Sequence, residues 1–90
     1  MNRELRELRE EHNELAVRAG AARSGLASMR QQVERQGYGL RRDIIEAETR
    51  LNYQMQEAMD AIRAGDIDGA REHLRYARGS LEVIDKFLGH

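Results

Sequence analysis

The residues of this chain that could do chemistry are few and far apart. Ala64-Gly65-Asp66-Ile67-Asp68-Gly69 resembles the middle of a calcium loop. In that register, however, the first ligand position is Ala64 and the twelfth is Arg75, where a bidentate Glu is required. Asp66 and Asp68 read better as the N-cap and first-turn acid of a helix, where exposed amides and the helix dipole favour negative charge. His12, His73 and His90 have no second His three or four residues away, the spacing that puts two zinc ligands on one helix face. Gly37-Tyr38-Gly39 lacks the Lys and the preceding strand of a phosphate loop. Ser24, Ser28 and Ser80 have no adjacent base to activate them, and without Cys there is no thiolate ligand or nucleophile. Glu48 interrupts an apolar seam, but no second acid accompanies it. It is expected to reach outward or meet an arginine, with Ala47 taking its place inside. These residues predict a protein that is not an enzyme, with no catalytic, cofactor-binding or metal-ligating set.

The same residues sit in a strongly helical context. With 34% charged residues, 4% aromatic and no Pro, the composition is that of exposed amphipathic helices rather than a β-protein. Ninety residues support one core. Ile67, Ala70, Leu74, Ala77, Leu81, Ile84 and Leu88 recur at steps of three and four, the stripe of one helix. Glycines near positions 37–39 and at Gly65 break the pattern. The prediction is an all-α, antiparallel three-helix bundle with helices at about 2–36, 40–64 and 67–88. A single rod through Gly37 and Gly39 would carry the first seam onto Asp43 and Arg50, so the stripe must change face there.

Folding the chain at both breaks brings the seams into layers. They read Leu15–Ile62–Ile67, Ala19–Ala58–Ala70, Ala22–Met55–Leu74, Leu26–Leu51–Ala77, Met29–Glu48–Leu81, Val33–Ile44–Ile84 and Gln36–Leu40–Leu88. On this register the bundle covers 15–90. Residues 1–14, about 20 Å of helix, extend past the hairpin turn with His12 opposite Gly65 and Leu5 and Leu8 unpartnered. That overhang leads to the expectation of a structural protein that homo-oligomerises through helix 1, with Leu5, Leu8, His12, Leu15, Ala19 and Ala22 at the contact. The alternative is an adaptor that docks a partner helix on the outer side of helix 3, where Tyr76, Gly79 and Val83 are candidates, or beside helix 1. Ile45 and Met59 give helix 2 a similar flank.

Net charge is −1 with both signs interleaved, so no sustained basic patch favours nucleic acid or an anionic membrane. Nucleic-acid binding through the many arginines is the weakest of the three readings. The charged N-terminus has no apolar core of a signal peptide and no stretch suits a bilayer, which places the chain in the cytoplasm as an expectation.

From about Leu26 onward the chain resembles a helical segment of bacterial multidomain proteins, some of them serine/threonine kinase-like. The residues that carry the likeness are Gln36-Gly37-Tyr38-Gly39-Leu40-Arg41, Gly65-Asp66, Ala70-Arg71, Leu81-Glu82 and Lys86-Phe87-Leu88-Gly89. The resemblance covers about two thirds of the chain, which carries no kinase motif. It implies a helical appendage with an accessory role and no activity of its own.

Overall fold

A computed structural model describes residues 2–90 as three helices: α1 (Arg3–Arg35), α2 (Arg42–Ala64) and α3 (Ile67–Leu88). Met1, part of the expected overhang, lies outside the described residues. The all-α three-helix bundle is as the periodicity predicts. None of the described helices is long and apolar enough to cross a membrane.

The helix ends follow from local chemistry. Asn2 caps α1 by accepting from the Glu4 amide at 2.7 Å, and Asp66 caps α3 by accepting from the Gly69 amide at 2.9 Å. Each helix ends on a glycine with positive φ, namely Gly37, Gly65 and Gly89. After each, the next amide reaches back five residues: Tyr38 to Val33, Asp66 to Ala61 and His90 to Asp85, all at 2.8 Å. These are Schellman closures, in which a left-handed residue lets the chain turn onto otherwise unpaired carbonyls. Replacing Asp66 with Ala should cost about 1 kcal/mol, read as a lower urea midpoint with an unchanged slope.

The two connections differ. Gly65-Asp66 is a tight turn, and it sets α2 against α3 in the expected register. Gln54 accepts a hydrogen bond from Nδ1 of His73 at 2.6 Å, next to the expected Met55–Leu74 layer. The first connection is longer than the glycines suggest. α2 begins at Arg42 rather than Leu40, so residues 36–41 form a linker from which Leu40 packs against the core.

That linker lets α1 slide, and the expected register of helix 1 is overturned. His12 bonds to the carbonyl of Met55 at 3.0 Å, where the layers place Ala22. Gly25 lies against Leu88, where they place Gln36. The displacement is about three turns. It carries the N-terminal half of α1 onto the bundle: Leu8 is 5% exposed and Leu5 is half-buried. Among the described residues the expected overhang at 1–14 is therefore absent. Instead the last turns of α1 lie outside the core, with Val33 half-buried and Gln31, Gln32, Glu34 and Arg35 exposed. α1 is about 50 Å long and spans the whole 51 Å length of the molecule. The physical reason is that a heptad seam repeats itself under a slide along the axis, so apolar spacing alone does not fix which layers meet.

Charge fixes what the seam leaves open. Glu4 pairs with Arg71 at 2.9 Å, Glu11 with Arg78, and Arg18 with Asp85 at 3.3 Å. Both sets of residues are spaced by seven, so α1 and α3 run parallel with one row of ion pairs between them. Sliding α1 by a heptad either way sets Arg18 against Arg78 or Glu11 against Asp85. Small residues do the rest. Ala19, Ala22, Ala47, Ala58, Ala70 and Ala77 are each at most 1% exposed, and a methyl on Gly25 would lie 2.9 Å from Leu88. Ala58 and Ala70 are fully buried, as expected of an all-small layer, but with His12 level with Met55 the Ala19 of that layer lies about three turns away along the axis.

Candidate functional site

α3 has three sides, and only two of them are occupied. Arg71, Arg78 and Asp85 face α1, while His73 and the buried Ala77 and Ile84 face α2. On the third side, away from α1, Tyr76, Gly79 and Val83 come together as the sequence suggests. With Ser80 of α3 and Arg50 and Gln54 of α2 they line a groove of about 360 Å³. Tyr76 is 47% exposed and Val83 43%.

The groove is held in shape from within. Ser80 is 8% exposed at its floor, which places α2 close to α3 there. Tyr76 is steadied by its own helix, donating a hydrogen bond to Glu72 at 3.3 Å while the Arg75 guanidinium lies over its ring, 5.0 Å from the centroid. Arg41 borders the Val83 end, stacked on Phe87 at 5.4 Å. Two hydrogen bonds from Arg41 hold the Asp43 carboxyl below the usual carboxylate range, and Asp43 raises Arg41 in turn. The sign follows from the lowered folded value: this pairing favours the folded state above about pH 4 and is lost as pH falls through the lowered pKa. The Tyr53 hydroxyl is raised by the neighbouring Glu57 carboxylate.

A Cβ built on Gly79 meets nothing within 4 Å, so the groove floor is open there. The change Gly79→Ala should therefore stabilise the free protein by about 1 kcal/mol, measured as a higher urea midpoint. The same methyl would fill part of the open space at the groove floor.

The other candidate interface residues are placed elsewhere. Leu8, Leu15, Ala19 and Ala22 are core residues of the single chain, and Leu5 is half-buried. They seal α1 to its own hairpin and are not a free surface. His12 is half-buried between α1 and α2, where its Nε2–H donates to the Met55 carbonyl and its buried Nδ1 has no partner. The helix 2 flank divides: Ile45 is 43% exposed, whereas Met59 lies in the α1–α2 groove beside His12. Glu48 does what its position requires, half-buried and 3.4 Å from Arg30, with Ala47 fully buried in its stead. Among the described residues no three of His, Asp and Glu converge to hold a metal ion.

Reasoning from the sequence alone misses Arg50 and Gln54. The signal was present, because the α2–α3 register about Gly65 puts Arg50 level with Gly79. Together the fold and groove define a class: a small helical bundle with open grooves between its helices. No family model, no curated protein and no solved structure matches the chain.

Proposed function

We propose that this chain is a non-enzymatic interaction module, an accessory bundle whose α2–α3 face receives a helix of another protein. The observation that supports it is the groove at Tyr76, Gly79 and Val83, an open apolar strip on a helix whose other two sides are filled. Such a strip is a receptor for an amphipathic helix, which lays residues spaced by three and four into a groove between two others. The accessory role is also what the resemblance to bacterial multidomain proteins implies.

A second reading is self-association through helix 1, and the fold changes its form. Because Leu8, Leu15, Ala19 and Ala22 are buried within one chain, a second copy reaches them only by exchanging α1 between hairpins. The six-residue linker 36–41 favours this reading, since it connects α1 to α2 without a tight turn.

Position-specific photocross-linking in cells separates the two. A cross-linking residue at Tyr76 or Val83 should give a discrete product with another protein, and one at Val17, which is 75% exposed on α1, should not. Products of twice the chain's mass, formed equally from both faces, would replace the first reading with the second. Absence of any product at positions 76 and 83 would remove the adaptor reading.

A further inference from the structure

The interaction-module reading leaves open what kind of helix the groove selects, and the inference here rests on that reading. The way α1 is held shows what α3 recognises. Its apolar side receives the α1 seam, and Arg71 and Arg78 on the rim take the carboxylates of Glu4 and Glu11. Arg75 lies between those two arginines in the sequence but lines the opposite groove, where no helix sits. There it is joined from across the groove by Arg50. Among the described residues these two are the only charged side chains lining the groove. Arg75 has Glu72 of its own helix at 4.0 Å, the outer limit of an ion pair. Arg50 has no ion-pair partner among the described residues.

We infer that the α2–α3 groove binds an amphipathic helix of a partner protein whose aliphatic stripe is flanked by carboxylates. The stripe lies on Tyr76 and Val83, crosses close to the backbone at Gly79, and its acidic flanks reach Arg50 on one side and Arg75 on the other. Electrostatic complementarity of this kind selects partners by sign and rejects helices with basic flanks. It also argues against a second copy as the occupant, because a two-fold pairing of this face would set Arg50 and Arg75 against their own counterparts. The acids at the start of α1 are not available either, since Glu4 and Glu11 are already taken up by α3.

The test uses the full chain, labelled with ¹⁵N, and two synthetic helical peptides of about 20 residues, roughly 30 Å long. Both carry the same Leu/Ala stripe; one has Glu at the flanking positions and the other Lys. The Glu peptide should shift the amides of Arg50, Gln54, Tyr76, Gly79 and Val83, and the Lys peptide should bind about tenfold more weakly or worse. The double change Arg50→Glu and Arg75→Glu should reverse that preference, with an unchanged helical circular dichroism spectrum showing that the variant is folded. Equal binding of both peptides in the groove would overturn the acidic preference and leave the interaction-module reading standing. Failure of both peptides to perturb the groove at millimolar concentration would overturn the inference and count against the docking face itself.

Discussion

Replacing Leu8 with Ala should destabilise the protein by about 2–3 kcal/mol, while Val33→Ala should cost less than about 1 kcal/mol. Leu8 is 5% exposed and belongs to the same core cluster as Leu15, Ile62 and Leu74. Truncating it leaves a cavity near the hairpin turn, where the Glu4–Arg71 pair holds α1 against the start of α3. Val33 is half-buried in the last turns of α1, beyond the packed stretch, and losing its two methyl groups removes little buried area. With a helix 1 overhang at residues 1–14 the order reverses: Leu8 becomes a surface residue and Val33 the centre of a layer with Ile44 and Ile84. Urea unfolding of the two variants decides between the registers. Comparable losses at both positions would sink the one described here.

What the sequence discloses is what is local. The cap at Asp66, the closures at Gly37 and Gly65, and the seams of the three helices are each written within a few residues, and each is found where expected. The α2–α3 pairing was legible too, because a two-residue turn leaves the helices no freedom to slide. Helix 1 was not, since Leu40 and Arg41 look helical by pattern but serve as linker. With six residues between helices, several alignments of the seam bury the same apolar residues. Tyr76, Gly79 and Val83 were visible as an outer stripe of one helix. The groove they help form needed a second helix, and so Arg50 stayed hidden.

The information that settles helix 1 was also in the sequence, but in its charges. Glu4, Glu11 and Arg18 form one column at intervals of seven, and Arg71, Arg78 and Asp85 form another with every sign opposed. Two such columns define a parallel pairing in a single register, as flanking charges do in coiled coils. Each pair is partly exposed and by itself contributes no more than about 1 kcal/mol. Their value lies in discrimination, because a slide by one heptad trades three attractions for one attraction and one repulsion.

Reversing the α1 column should expose that role. The triple variant Glu4→Arg, Glu11→Arg, Arg18→Glu places like charges at all three contacts and should lose about 1–3 kcal/mol. The matching α3 variant, Arg71→Glu, Arg78→Glu, Asp85→Arg, should lose a similar amount. Combining all six restores opposite signs at every contact, so stability should return to within about 1 kcal/mol of the parent instead of falling by the sum. High salt should weaken each loss, since the pairs are accessible to solvent. A simple sum in the six-fold variant would mean that the columns do not face each other. Recovery would show that opposed charge across the parallel α1–α3 seam selects the alignment of helix 1. It would also show that Leu8 is drawn into the core because the acids and the base around it allow no other alignment.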